Sequence, residues 1–150
     1  RQVTVYDPAS NPVRQQAIGH PPGQPGAAKV VLEDRHFRYD ELNRLTVEKR
    51  TGACAYWYEY TLDPVGNRTQ MVQKDTMGAV TGTTSATYDA ANKLLTYGNT
   101  TYTWDANGNQ LTKTTNSQTT TYTWSSQDKL TRIMHPNGTI QDFTYDGDGV

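Results

Sequence analysis

Residues that could carry catalysis or bind a metal ion are few and widely separated in this 150-residue sequence. The three histidines, His20, His36 and His135, share no metal-ligand spacing with one another or with Cys54, the single cysteine. A cysteine nucleophile needs a base within hydrogen-bond reach, and no motif sets a histidine beside Cys54. We therefore interpret Cys54 as a small buried or half-buried thiol, which cannot form a disulfide within the chain.

The acidic residues indicate turns and not acid–base chemistry. Asp146-Gly147-Asp148-Gly149 has acidic side chains two apart, as at the start of a calcium loop, but the distal Glu and the other ligands do not follow. The aspartates that could form catalytic pairs instead recur at one position of a repeat. Phosphate loops, dinucleotide fingerprints and Gly-x-Ser-x-Gly motifs do not occur. We expect no catalytic residue, no metal site and no cofactor.

The overall charge and hydropathy exclude two classes of partner. A net charge of −1 and a pI near 6.3 provide no basic surface for nucleic acid. Membrane insertion is not expected, because the sequence has no run of roughly 18 apolar residues. No charged-then-apolar signal segment opens the chain, so we expect any export signal to lie outside this stretch.

The composition favours β-structure. Hydrophobic residues make up 34% of the chain, below the ~45–50% usual for globular domains, and the mean hydropathy is −0.81. Threonine occurs 24 times and tyrosine 10 times, against two phenylalanines, and threonine and tyrosine suit a pleated, half-buried surface. Abundant Thr, Asn, Gln, Gly and Ser would also fit a disordered chain, but the aromatic residues recur in register. We therefore predict a thin sheet without a thick core.

A repeat runs through most of the sequence. An aromatic residue, one spacer, a second large apolar residue and usually Asp recur six times, from Phe37-Arg38-Tyr39-Asp40 to Phe143-Thr144-Tyr145-Asp146, with a weaker third copy that begins at Ala86. We call the second large residue of each copy the anchor. The anchors, 16 to 26 residues apart, are Tyr39, Leu62, Tyr88, Trp104, Trp124 and Tyr145. Repeats of this length predict tandem supersecondary units.

Each anchor is followed by residues that favour a tight turn. The Asp after the anchor can hydrogen-bond to the backbone two residues on, and the fourth residue after the anchor is of a type that tolerates a left-handed backbone. An apolar residue then restarts the chain in most copies, at Leu45, Leu94, Leu111 and Leu130. The predicted turn residues are Asp40, Asn43, Asp63, Gly66, Asp89, Asn92, Asp105, Gly108, Asp128 and Gly149. A second turn between anchors is expected near Gly52, Gly78, Gly98-Asn99, Asn116-Ser117 and Asn137-Gly138.

The alternation of side chains defines two faces. In Thr101-Tyr102-Thr103-Trp104 the aromatic residues share one face of a strand and the threonines the other. Consecutive antiparallel strands normally pair with their neighbours. The predicted fold is therefore all-β: an antiparallel meander of tandem β-hairpins with an aromatic face and a hydroxyl face.

The N-terminal part of the chain differs from the rest. Residues 1–35 contain one or more short strands and a Pro/Gly-rich connecting segment at 20–26 that cannot be helix or central strand. Residues 36–150 form the repeat array, and its last repeat is expected to be truncated.

The repeats resemble a known family. Tyr39-Asp40-Glu41-Leu42-Asn43-Arg44-Leu45-Thr46, Trp104-Asp105-Ala106-Asn107-Gly108-Asn109 and Tyr145-Asp146-Gly147-Asp148-Gly149 are similar to the YD (tyrosine–aspartate) repeats of Rhs (rearrangement hot spot) proteins, insecticidal toxin complexes and teneurins. Leu62 and Ser125 depart from the pattern. The resemblance implies an extended, twisted sheet that forms part of a hollow shell. It also implies a secreted or cell-surface protein, whose shell encloses a toxic C-terminal polypeptide in bacterial members and supports adhesion in teneurins.

Two functional hypotheses follow. The first is a non-catalytic, structural segment that pairs with the remainder of a longer YD-repeat shell. The alternative is a carbohydrate or cell-surface binding module that uses the aromatic face, since exposed Tyr and Trp can stack on sugar rings. Open sheet edges expose unpaired backbone groups, so the chain is also expected to self-associate.

Overall fold

The computed structural model describes residues 1–52 and 54–146, and their regular secondary structure is entirely β. The strands pair in chain order within one sheet, so the predicted antiparallel meander is confirmed. The strands are β1 (Gln2–Tyr6), β2 (Pro12–Gly19), β3 (Val30–Tyr39), β4 (Leu45–Gly52), β5 (Tyr56–Leu62), β6 (Arg68–Lys74), β7 (Val80–Tyr88), β8 (Leu94–Tyr97), β9 (Thr100–Trp104), β10 (Gln110–Thr115), β11 (Gln118–Trp124), β12 (Leu130–Met134) and β13 (Ile140–Asp142).

The chain divides into two compact units, and the boundary between them lies between Thr84 and Ser85, within β7. The sequence boundary drawn between residues 35 and 36 falls inside β3. The Pro/Gly-rich segment lies between β2 and β3, where Gln24 N donates to Pro21 O and Ala27 N donates to Gln24 O. These two turns fold the segment back on itself.

The sheet has almost no interior. Among the described residues only Ala86 is a buried hydrophobic residue, with 6% of its surface exposed, and no polar side chain is buried. Exposure alternates along the strands: in β9 the threonines at 101 and 103 are exposed, whereas Tyr102 and Trp104 are half-buried. A single layer of strands gives this pattern, because a side chain contacts its neighbours on the same face but no second layer.

The turns between repeats follow the local sequence closely. Asn116 and Ser117 both have positive φ angles, 50° and 65°, as a two-residue type I′ hairpin turn requires. Gly98, with φ of 55°, begins the corresponding turn between β8 and β9. In both hairpins the residues on either side of the turn pair directly with each other: Thr115 is opposite Gln118, and Tyr97 is opposite Thr100.

Candidate functional site

The candidate site of this chain is the junction between repeats, which begins with a five-residue turn. In each turn the first N–H donates to the fifth carbonyl and the fourth N–H donates to the first carbonyl, at 2.8–3.2 Å. The fourth residue has a positive φ between 57° and 101°. In the turns that follow an anchor position, the residues at this fourth position are Ser10, Asn43, Gly66, Asn92, Gly108 and Asp128. Two of the second turns between anchors have the same geometry, with Gly78 and Gly138 at the fourth position. Gly149, the sixth residue predicted for this column, lies outside the described residues.

The first side chain of the turn fixes its geometry. Asp40 Oδ1 accepts hydrogen bonds from the N–H groups of Leu42 and Arg44, at 3.0 and 2.9 Å, and its Oδ2 accepts from Arg44 Nε at 2.7 Å. The Arg44 backbone N–H is the main reason that the pKa of Asp40 lies below its usual value. Asp63, Asp89 and Asp105 accept the same pair of backbone N–H groups. The four aspartates predicted to follow an anchor therefore each start a turn, whereas Asp128 lies at the fourth position of its turn.

Two departures from the Asp pattern keep the turn. Ser125 Oγ accepts from the N–H groups of Gln127 and Lys129, both at 3.2 Å, so a hydroxyl replaces the carboxylate. In the turn that starts at His135, Asn137 Oδ1 accepts from Thr139 N at 3.0 Å. The turn thus depends on an acceptor oxygen and a left-handed fourth residue, and the carboxylate charge is dispensable.

In six hairpins the pairing of the two strands shifts by one residue at the anchor position. These positions are residues 6, 39, 62, 88, 104 and 124. Trp104 is opposite Gln110, but Thr103 is opposite Thr112, so Leu111 is an extra, bulged residue. The same offset places a bulge seven residues after each of the other anchor positions. Where the bulged residue is threonine, its hydroxyl donates to the carbonyl of the residue before the anchor, as Thr131 Oγ1 does to Thr123 O at 3.0 Å. Bulges bend a strand and interrupt its pairing.

The next anchor binds a carbonyl that lies beyond the end of the neighbouring strand ladder. The backbone ladder between β10 and β11 starts at Thr112, which leaves the Gln110 carbonyl beyond its end, and Trp124 Nε1 donates to that carbonyl at 2.8 Å. Trp104 Nε1 donates to Leu94 O at 2.8 Å by the same arrangement. Tyr39 Oη donates to Pro12 O at 3.1 Å, and Tyr145 Oη to Leu130 O at 2.8 Å. We call this contact the anchor latch.

The acceptor of each latch is six residues after the preceding anchor position. Tyr6 occupies that position ahead of Pro12, and its turn at residues 7–11 has the same hydrogen bonds as the others. The segment at residues 1–35 therefore contains a further copy of the repeat junction. A polar tip on a large flat ring is what the latch needs, because Tyr and Trp combine apolar area with one donor.

The predicted anchors occupy equivalent places, with two differences. Tyr39, Leu62, Tyr88, Trp104 and Trp124 are the last residues of β3, β5, β7, β9 and β11, whereas Tyr145 follows β13 and is in no strand. Leu62 has no side-chain donor, and at that junction Arg44 Nη1 donates to Asp63 O at 2.8 Å. The latch acceptors and the bulged residues were not identified from the sequence. Leu111, expected to restart a strand, is the bulged residue, and β10 starts at Gln110.

The hydroxyl face in the unit from Ser85 onward is a ladder of threonines. Thr87 pairs with Thr96, Thr96 with Thr101 and Thr101 with Thr114, and Thr114 with Thr119. Hydroxyl pairs share hydrogen bonds of 2.7–2.9 Å across the strands. Cross-strand hydroxyl pairs stabilise a sheet without a hydrophobic layer.

The unit Arg1–Thr84 carries cross-strand ion pairs on both faces of the sheet. Asp34 accepts from Arg14 Nε at 3.0 Å and from Arg14 Nη2 at 2.6 Å, and from Gln16 Nε2 at 3.1 Å. The Arg14 hydrogen bonds lower the pKa of Asp34 to about 2. Glu33 bridges Arg35 and Arg50 at 2.6 Å each.

The Asp34 pair gives a pH-dependent contribution to stability. A carboxyl whose folded pKa is depressed stabilises the fold above its unfolded pKa, near 4, and this contribution is lost as the pH falls towards about 2. Because Arg14 is partly exposed, we expect a loss of about 1 kcal/mol in that window. Urea unfolding at pH 5 and pH 2.5 should show a smaller pH effect in Asp34→Asn than in the unchanged chain. Glu41→Gln, which removes an exposed carboxyl at a turn, should leave the pH effect unchanged; equal profiles for all three proteins would contradict the assignment.

The residues considered for chemistry are not brought together. His36 Nε2 is 3.3 Å from Asp34 Oδ1, His20 Nδ1 is 2.7 Å from Ala27 O, and His135 starts a turn. Cys54 is exposed and has φ of 62° in the connection between β4 and β5, so the expectation of a buried or half-buried thiol is wrong: a left-handed loop residue projects into solvent. Within the described part of the chain, no group of three His, Cys, Asp or Glu side chains could hold a metal ion. Residues 1–52 and 54–146 include no helix suited to crossing a membrane.

Comparisons with known proteins agree with this architecture. Residues 104–140 match the family model of the RHS Repeat, which confirms the resemblance inferred from the sequence. The crystal structure of TcdB2-TccC3-TEV and the structure of the Photorhabdus luminescens Tc holotoxin pore with a mutated TccC3 each cover 95% of this chain, at 19% identity and a TM-score of 0.50.

The two neighbours are far larger than this chain, which spans 7% of the length of each matched chain. At 19% identity the likeness is one of fold. A search of curated protein sequences finds no match.

Proposed function

We propose that this chain is a non-catalytic structural segment of an Rhs/YD-type shell. The observation that carries the proposal is the anchor latch, because each latched anchor binds the backbone of the preceding repeat. Stability is therefore built repeat against repeat and not from a core. A sheet of this kind serves as a wall, which excludes solvent and proteases from what it surrounds.

The wall acts as part of a longer assembly in this proposal. The sheet pairs with further YD repeats, and the shell encloses a toxin polypeptide or presents an adhesion partner, in an exported or cell-surface protein. The RHS Repeat match and the Tc holotoxin neighbour support the toxin form of the proposal. The glycan alternative on the aromatic face gains no support from the latched tryptophans, since the indole N–H groups of Trp104 and Trp124 already bind backbone carbonyls.

The open edge at β1 provides the test. Arg1 N donates to Ile18 O and Ile18 N donates to Arg1 O, both at 2.8 Å. Because residues that bond to the partner strand alternate along an antiparallel pair, the N–H groups of Gln2 and Thr4 point away from β2. Proline at position 4 removes an outward donor and leaves the pairing with β2 intact. We expect the chain to self-associate through this edge in sedimentation velocity, and Thr4→Pro to weaken the association about tenfold.

Thr4→Val is the matched control, because it changes the side chain but keeps the N–H. It should associate like the unchanged chain. A monomer at every concentration would contradict the edge-pairing proposal, as would equal weakening by Thr4→Pro and Thr4→Val.

A further inference from the structure

A groove of about 380 Å³ lies on the sheet in the unit Arg1–Thr84. It runs over β3, β4 and β5 on the face opposite Tyr56, Tyr58 and Tyr60, because Trp57 alternates with those tyrosines along β5. The volume is within the range of small-ligand sites. Five of its lining residues carry the argument: Arg38, Val47, Lys49, Trp57 and Glu59.

Two cations in the groove are not neutralised by the protein. Arg38 is exposed, and its guanidinium makes no ion pair or hydrogen bond with any described residue. The Lys49 ammonium lies 4.1 Å from the centroid of the Trp57 ring and pairs with no carboxylate among the described residues. By contrast, Arg14, Arg35 and Arg50 in the same unit are paired with Asp34 or Glu33. The groove therefore concentrates positive charge in a chain of net charge −1.

The apolar wall of the groove is held in place. Trp57 is directly opposite Lys49 on β4 and Lys74 on β6, and both ammonium groups lie over its ring, at 4.1 and 5.0 Å. A ring between two cations is fixed by cation–π attraction from both sides. With Val47, it offers carbon surface beside the two free charges.

The single carboxylate of the groove selects among anions. Glu59 Oε2 is 2.7 Å from Lys74 Nζ, so its charge is balanced, but its oxygens can still accept hydrogen bonds. The Glu59 oxygens therefore favour a ligand with hydroxyl donors over sulfate, which carries no hydrogen-bond donor. The groove thus combines an anion site, an apolar wall and a hydroxyl acceptor.

We propose that this groove binds a carboxylated saccharide, such as a hexuronate unit of an acidic polysaccharide. The Arg38 guanidinium binds the sugar carboxylate in a two-pronged hydrogen bond, with Lys49 beside it. Glu59 accepts from ring hydroxyls, and the C–H face of the sugar packs against Val47 and the edge of the Trp57 ring. The site does not depend on the shell function proposed above.

The test is titration of the 150-residue chain with trigalacturonate, followed by calorimetry and by amide chemical shifts. We expect binding that shifts residues of β3–β5, and binding that weakens as salt rises. Arg38→Gln should reduce the affinity about tenfold, and Lys29→Gln, which removes the same charge from an exposed loop residue, should not. Circular dichroism of both variants checks that the sheet is retained.

Neutral maltotriose and inorganic sulfate are the comparison ligands. Trigalacturonate should bind at least about tenfold more tightly than either, and Glu59→Gln should weaken trigalacturonate but not sulfate. Equal binding of sulfate and trigalacturonate would reduce the groove to a general anion site and overturn the proposal. Absence of trigalacturonate binding, or equal loss in Arg38→Gln and Lys29→Gln, would also overturn it.

Discussion

Replacing Gly52 by alanine is expected to lower the free energy of unfolding by about 2–5 kcal/mol. Gly52 ends β4 with φ of 96°, in a region that L-residues rarely adopt. A Cβ added there would lie 2.4 Å from the backbone carbonyl oxygen of Leu32, which cannot rotate away as a side chain could. Both the backbone angle and the close approach oppose the substitution.

Two other glycines separate these causes in urea unfolding followed by far-ultraviolet circular dichroism. Gly66 has φ of 101° but no atom within 4 Å of an added Cβ, so Gly66→Ala reports the backbone strain alone, at about 1–2 kcal/mol. Gly26 has neither a positive φ nor a neighbour within 4 Å, and Gly26→Ala should be close to neutral. If Gly52→Ala cost no more than Gly66→Ala, the close approach of β3 and β4 at this point would be disproved.

The second large effect is expected at an anchor. Trp104→Leu should destabilise the chain by about 2–3 kcal/mol, because it removes a large half-buried ring and the donor to the Leu94 carbonyl. Trp104→Phe keeps an aromatic ring but removes the donor. We expect the lost hydrogen bond to cost about 1 kcal/mol, in addition to the cost of the smaller ring. Unfolding in urea, monitored by tryptophan fluorescence and circular dichroism, measures both.

Trp57 provides the matched control for the latch. Its Nε1 is buried and has no hydrogen-bond partner, so Trp57→Phe breaks no hydrogen bond and reduces only the ring and its attraction to Lys49 and Lys74. Trp104→Phe should therefore be the more destabilising of the two substitutions. If Trp57→Phe and Trp104→Phe lowered the free energy of unfolding equally, the hydrogen bond of the latch would make no contribution to stability.

The turns and the strand order could be predicted from the sequence because both are encoded locally. A left-handed fourth residue is favoured by residue type, as at Asn43 and Gly108, and an aspartate such as Asp105 bonds to backbone groups within four residues of itself. Alternation along Thr101–Trp104 assigned the two faces, since side chains in a strand alternate with a period of two. Chain-order pairing then follows from short connections.

The bulges, the latches and the groove were decided only by the tertiary structure. Trp124 binds the Gln110 carbonyl 14 residues away because the ladder between β10 and β11 ends at Thr112. The bulge at Leu111 lies in the pairing of β9 and β10, and a bulge depends on how two strands register and not on the sequence of either one. Trp57, between Lys49 and Lys74, likewise depends on the register of three strands. The sequence determined which residues turn and which alternate, because those choices are local. The structure determined which atoms meet across strands, because a shift of one residue in register changes every such contact.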